Sequence, residues 1–275
     1  MNRFLLLKRC SNVAFIFLVS YFSVHILHLL YTFAFAYLID LDNVTFYFAY
    51  VDYNSENYTS WSKLRIVLLY GFPNLMMLIS AIIFWIAMKK YSFKYDSKKK
   101  LYLLWSMLTC LAFVIGNFIA APFTTHGIAV VASWYYIKKE VLFIVCTLFW
   151  TTIPVIAWYY SNTIMRTAYS RSFIRTKWTR VEFLANTFLL PYMLVSIFMA
   201  FLLIIYPGYN LEYYFAIDFI RVFSLFAILI FIMIFNFNKR YIDISSNKEL
   251  EKINFTPFFV GLMSLAIIYL SLFIV

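Results

Sequence analysis

Long apolar runs separated by short polar loops occupy most of this 275-residue chain. A helix needs about 20 consecutive apolar residues to cross the roughly 30 Å hydrocarbon core of a bilayer. Seven runs meet that length, and we expect transmembrane helices at about 11–39, 64–88, 101–121, 141–165, 181–206, 213–237 and 253–275. The sequence therefore predicts an all-α, polytopic membrane protein that forms a single integral membrane domain over 1–275.

The charge content agrees with a membrane protein and argues against a nucleic-acid partner. Charged residues make up 13% of the chain, whereas a soluble domain is typically about a quarter charged. The formal net charge is +11, but the lysines and arginines cluster in the loops between the apolar runs. Such loops face the membrane surface, so we expect them to contact the anionic headgroups of the lipid bilayer and expect no nucleic acid to bind.

Two basic loops determine the predicted orientation of the chain. The stretch KKYSFKYDSKKK at 89–100 contains six lysines, and the loop at 166–180 carries four arginines and one lysine. Loops rich in Lys and Arg stay in the cytoplasm, whereas the acidic loop at 40–61 has no Lys or Arg and is expected outside. The alternation predicts a cytoplasmic N-terminus and an external C-terminus in a plasma or inner membrane.

One apolar segment, GIAVVASWYYI at 127–137, is too short to cross the hydrocarbon core. Aromatic residues end the segment and two lysines follow it, a composition that is typical of a membrane boundary. We predict a short helix on the outer face. Both an interfacial and a re-entrant placement remain open.

Polar side chains within the apolar runs are the main indication of function, because an uncompensated polar group in hydrocarbon is energetically costly. Seven candidates are predicted to lie in the outer half of the bundle: His25, His28, Asn74, Asn117, His126, Asp218 and Arg221. In one interpretation they line a cavity that is open to the outside. In the other, which we favour, His and Asn form hydrogen bonds between helices while Asp218 and Arg221 neutralise one another.

A metal site is a further interpretation of the histidines. His25 and His28 share one helical face, and His126 or Asp218 would have to supply a third ligand. The pair lacks the glutamate and the four-residue spacing of an H-E-x-x-H site. His25 is also expected about 20 Å below the outer end of its helix, whereas His126 lies just past the end of the third span. We predict neither a metal nor another cofactor.

Catalytic signatures are lacking in the sequence, which has no G-x-S-x-G elbow, phosphate-binding glycine loop or haem-attachment motif. We therefore expect a non-enzymatic subunit that serves as a scaffold or binding component of a larger membrane assembly, with other membrane proteins as partners. One alternative is a small-molecule transporter or channel whose polar cavity opens to the outer face. The second alternative is a metal-dependent intramembrane hydrolase or a degenerate intramembrane protease.

Overall fold

A computed structural model describes residues 3–47, 49–53, 61–92, 95–168, 174–205 and 211–237. The helices in these ranges are α1 (Arg3–Leu38), α2 (Lys63–Ile66), α3 (Phe72–Lys89), α4 (Ser97–Ala120), α5 (Ile128–Trp134), α6 (Lys139–Met165), α7 (Lys177–Leu184), α8 (Leu190–Ile205) and α9 (Leu211–Phe237). Between α1 and α2, the strands β1 (Thr45–Phe46) and β2 (Val51–Asp52) pair as a short antiparallel hairpin.

Six helical stretches are long and apolar enough to cross a membrane: Lys8–Leu38, Lys63–Lys89, Ser97–Ala120, Lys139–Met165, Lys177–Leu202 and Ala216–Phe237. The prediction of a mainly helical, multi-pass membrane protein is confirmed to this extent. The seventh predicted run, at about 253–275, lies outside the described residues. A short helix, α5, does form within 127–137, and its interfacial or re-entrant placement remains a prediction.

Two of the six stretches consist of two α-helices joined by a π-helical turn. Val67–Gly71 joins α2 to α3, and Ala185–Leu189 joins α7 to α8. Each turn ends two residues before a proline, Pro73 in α3 and Pro191 in α8. Proline has no N–H to donate, and its ring clashes with the carbonyl four residues earlier in a regular helix. The wider turn accommodates the ring, so the helix continues instead of breaking.

Helix α4 lies at the centre of the bundle, where α1, α3, α6 and α9 all pack against it. Its Trp105 is fully buried, with ring centroids 4.4 Å from Phe17 of α1 and 5.6 Å from Phe188 in the turn before α8. The outer helices turn apolar side chains away from α4, as expected where lipid tails are the solvent. Helix α4 therefore fixes the positions of its neighbours.

Basic side chains bind the C-terminal ends of three helices at one end of the bundle, here called the basic end. Lys100 Nζ donates a hydrogen bond to the carbonyl of Tyr91, just after α3 (2.8 Å). Arg180 Nη1 donates to the carbonyl of Asn236 in the last turn of α9 (3.0 Å), and Arg9 donates to a carbonyl just after α6. Helix C-termini leave carbonyls without intrahelical partners and carry a partial negative charge, so a cation there is favourable.

Arg180 differs from the sequence-based prediction, which assigned it to a basic loop. Thr176 caps the N-terminus of α7, so Arg180 lies in the first turn of that helix, and its side chain is buried. Its guanidinium reaches α9 rather than solvent. The charge pattern locates a basic segment, but it does not reveal that one of its arginines stabilises the end of a neighbouring helix.

The two ends of the bundle provide a direct test of the predicted orientation. Tyr95 at the basic end is 70% exposed, Tyr136 at the opposite end is 86% exposed, and the native cysteines Cys10, Cys110 and Cys146 are buried. We expect a membrane-impermeant maleimide to label Tyr136→Cys in intact cells and Tyr95→Cys only after permeabilisation, with the wild-type chain as the unlabelled control. Labelling of Tyr95→Cys in intact cells would reverse the orientation.

Candidate functional site

A cavity of about 150 Å³ lies at the end of the bundle opposite the basic end. The structure places all seven polar candidates from the sequence around it: His25, His28, Asn74, Asn117, His126, Asp218 and Arg221. They come from α1, α3, α4, α9 and the segment that precedes α5. Side chains that are far apart in sequence are thus brought together at one site.

Arg221 is the centre of a hydrogen-bond network across three helices. Its Nη1 donates to Asp218 Oδ1 (2.7 Å), its Nε donates to Asn117 Oδ1 (2.7 Å), and its Nη2 lies 3.3 Å from His28 Nε2. The side chains of Arg221 and Asp218 are only 12% and 17% exposed. A buried charge pair is tolerated when further hydrogen bonds satisfy its remaining polar atoms, and Asn117 and His28 supply such bonds to the guanidinium.

The contact with Arg221 also defines the protonation of His28. A guanidinium has only donors, so His28 Nε2 must accept the hydrogen bond through its lone pair. The imidazole is therefore neutral and carries its proton on Nδ1. A metal ion at Nε2 would have to displace Arg221 and would face its positive charge.

Two asparagines extend the network from α9 through α4 to α3. Asn117 Nδ2 donates to Asn74 Oδ1, and Asn74 Nδ2 donates to the carbonyl of Tyr70 (2.9 Å). Tyr70 lies in the π-helical turn Val67–Gly71. The charge pair on α9 is thereby connected, through two amide side chains, to the irregular part of the second span.

Phe113 of α4 supports the cluster from the apolar side. The guanidinium carbon of Arg221 lies 4.7 Å from the Phe113 ring centroid, within the range of a cation–π interaction. The His28 ring packs edge-on against the same phenyl ring, with centroids 5.5 Å apart. One aromatic ring thus contacts both the charged group and its imidazole partner.

Gly116 allows α9 to approach α4 closely enough for this network to form. A Cβ atom at this position would lie 2.6 Å from Arg221 Cα and 2.9 Å from Arg221 N, far inside the normal contact distance. The next residue on α4 is Asn117, which accepts the bond from Arg221 Nε. Gly116 is therefore a positioning residue for the site.

The loop after α1 covers part of the cavity, which the sequence analysis did not predict. Tyr50 and Val51 of the β-hairpin line the cavity, and the Tyr53 hydroxyl lies 2.7 Å from the Tyr70 hydroxyl. From its sequence, this loop is expected to be only a polar external connection. Its tyrosines were the available signal, but they do not identify the surface that the loop covers.

The charges around the cavity are balanced. Arg221 and Asp218 neutralise one another, and His28 is neutral. Burial lowers the pKa of the His126 imidazole below its usual value, which favours the neutral form at neutral pH. The cavity therefore suits a ligand that forms hydrogen bonds and carries no net charge.

The described residues contain no group of three or more His, Cys, Asp or Glu side chains that could hold a metal ion. The absence of a metal from the protein stays a prediction, which elemental analysis of chelator-free protein can check.

No protein-family model matches the chain, and no curated protein or solved structure matches it. The geometry of the site is accordingly the basis for a functional interpretation.

The charge pair leads to a stability prediction. Arg221→Leu leaves the Asp218 carboxylate without its counter-charge, and removing one partner of a buried pair typically costs about 3–5 kcal/mol. We expect Arg221→Leu to lower the melting temperature in detergent more than the double change Asp218→Leu with Arg221→Leu. Both variants lose the bonds to Asn117 and His28, so the comparison isolates the effect of a carboxylate that has lost its counter-charge. A double variant that melts below the single one would contradict a structural pair.

Gly116 leads to a second prediction with a matched control. Gly116→Ala would force α4 and α9 apart, and overpacking of this kind typically costs about 1–3 kcal/mol. At Gly71 an added Cβ would meet only Val67 Cγ1 at 3.6 Å, an ordinary contact. We expect thermal unfolding to show a clear loss of stability for Gly116→Ala and little change for Gly71→Ala. Equal melting temperatures for the two variants would argue against the close approach.

Proposed function

We propose that the chain is a non-enzymatic, polytopic membrane protein that binds a small polar molecule in the cavity, as the binding component of a larger membrane assembly. The observation that carries this proposal is the convergence of seven polar side chains around one cavity. Polar groups at this depth are costly unless they meet each other, water or a ligand. These side chains also meet each other, and the cavity leaves open space beside them that a polar ligand can occupy.

The packing below the cavity supports binding rather than free conduction. Phe113 contacts Tyr21, with ring centroids 6.0 Å apart, and Tyr21 contacts Phe17 at 5.9 Å. Phe17 in turn packs on Trp105 at 4.4 Å. These aromatic rings occupy the core between the cavity and the basic end. A transporter that uses this cavity would have to separate them to release its substrate there.

Partner membrane proteins are supported by a separate observation. Helix α6 turns large apolar side chains outward, including Trp150, Val155, Trp158 and Tyr159. Lipid tails cover such a face readily, and a partner helix can replace them because packing in the bilayer depends on shape rather than on hydrophobic exclusion.

A metal-dependent hydrolase has the least support, because Arg221 occupies the Nε2 lone pair of His28.

Ligand-dependent thermal stabilisation tests the proposal. A panel of anionic, cationic, zwitterionic and uncharged water-soluble solutes is added to purified wild-type protein and to Asn74→Leu. We expect an uncharged solute to stabilise the wild type, by about 2.7 kcal/mol at 100 times its dissociation constant. The stabilisation should be lost in Asn74→Leu, because this change removes two of the hydrogen bonds beside the cavity.

The matched control for this test is Asn186→Leu. Asn186 is half-buried in the π-helical turn Ala185–Leu189, its Nδ2 donates a hydrogen bond to the carbonyl of Glu182 (2.8 Å), and it does not line the cavity. Its variant should respond to the solute like the wild type. If no solute stabilises the wild type, or if both variants lose the response equally, cavity binding is wrong. Stoichiometric partner proteins in a mild-detergent purification would then favour a purely scaffolding role.

A further inference from the structure

An apolar crevice of about 390 Å³ lies between α3 and α6, on the outer face of α4. Its lining includes Leu75 and Leu78 of α3, Leu111 and Ile115 of α4, and Phe149 and Ile156 of α6. The rings of Phe118 and Phe149 stack at its wall, with centroids 4.2 Å apart. Because Leu75 and Leu78 are exposed at the rim, the crevice is accessible from the side of the bundle that lipid tails surround.

Asn74 lines both the apolar crevice and the polar cavity. Its Oδ1 accepts from Asn117 on the cavity side, and its Nδ2 donates to Tyr70 in the π-helical turn. Gly71, the last residue of that turn, also lines the crevice and has no side chain to fill it. The boundary between the two spaces thus consists of one amide side chain and an irregular helical turn, a feature often found at functional sites.

We propose that the cavity and the crevice form one bipartite site for a lipid that has an uncharged, hydroxyl-bearing head group. This inference rests on the proposed function and names the ligand class. The hydrocarbon chain lies in the crevice, and the head group forms hydrogen bonds at Asn74 and Asn117. From Leu111 to Phe118 the wall of the crevice is about 10 Å long at 1.5 Å per residue, enough for part of an acyl chain.

The charge balance of the cavity selects an uncharged head group. Three of the five N–H donors of Arg221 already have partners, and a phosphate at the other two would bring its negative charge close to the Asp218 carboxylate that neutralises Arg221. An ammonium group would face the positive charge of Arg221 with its counter-charge already in use. Hydroxyl groups both donate and accept, so they can exchange hydrogen bonds with the asparagine amides without disturbing the charge pair.

The test uses full-length protein in phosphatidylcholine vesicles with a monoacylglycerol that carries a photoactivatable diazirine in its chain. Leu78→Trp fills the crevice, and Ile83→Trp adds the same ring to an exposed position of α3 that does not line it. We expect mass spectrometry to find adducts within 111–118 in the wild type and in Ile83→Trp, and to find them largely lost in Leu78→Trp. Unlabelled monoacylglycerol should compete, whereas phosphatidylglycerol should not.

The Asn74→Leu variant tests the head-group contact. It should weaken competition by unlabelled monoacylglycerol about threefold to tenfold, the effect of one hydrogen bond. Equal labelling of Leu78→Trp and Ile83→Trp would indicate ordinary annular lipid and would overturn the inference. Equal competition by phosphatidylglycerol, or no effect of Asn74→Leu, would reduce the site to a chain-binding crevice and would also overturn it.

Two further outcomes separate this inference from the proposed function. If no adducts form within 111–118, the crevice is covered by protein, either a second copy or another part of the chain, and the lipid inference is wrong. If a water-soluble solute stabilises the wild type but the lipid gives no adducts within 111–118, the cavity still binds its ligand and only the lipid inference fails. The proposed function itself fails in its own test, when no solute stabilises the wild type or when both asparagine variants lose the response equally.

Discussion

A guanidinium group placed among apolar helices needs hydrogen-bond partners, and the arrangement around Arg221 follows from that requirement. Its three nitrogens contact Asp218 on α9, Asn117 on α4 and His28 on α1. Asn117 continues the network to Asn74 on α3. Four helices are therefore held in one mutual register, because a shift of any of them would leave a buried donor or acceptor without its partner.

The two ends of the bundle neutralise positive charge in different ways. At the cavity end, Arg221 is balanced by a carboxylate and satisfied by neutral side chains. At the basic end, Lys100 and Arg180 bind backbone carbonyls at the ends of helices, where the partial negative charge of the helix dipole supplies the attraction. The distribution of basic residues among the loops predicts the orientation of the chain in the membrane, and some of these residues thus also stabilise helix ends. The cavity end combines this charge pair with open volume.

Local sequence patterns identified the helices and the polar candidates, whereas the contacts between helices required the structure. Apolar runs of sufficient length predict spans, and the cost of a polar group in hydrocarbon selects residues such as Asn74 and Asn117. Gly116 carries no signal in the sequence, because its importance arises only from Arg221, which packs against it from a distant part of the chain. Pro73 is visible in the sequence, but the π-helical turn that accommodates it is not.

The burial of Arg180 and the cover over the cavity have the same explanation. A count of loop charges treats each basic residue as solvated. Arg180 is instead buried, because its guanidinium donates a hydrogen bond to a carbonyl at the end of α9. The hairpin residue Tyr53 lies in a loop that looks like a simple connection, and only the position of Tyr70 shows which surface it contacts. Partners that are distant in sequence decide both cases.

The position of Asp218 three residues before Arg221 on the same helix has a consequence for biosynthesis. A lone arginine or aspartate at the centre of a helix raises the free energy of its insertion into the bilayer by about 2.5–3.5 kcal/mol. In α9 the two charges face each other within a single turn, so the segment carries its own counter-ion before any neighbouring helix is present. The charge pair thus forms within α9 alone, whereas the bonds to Asn117 and His28 need α4 and α1 beside it.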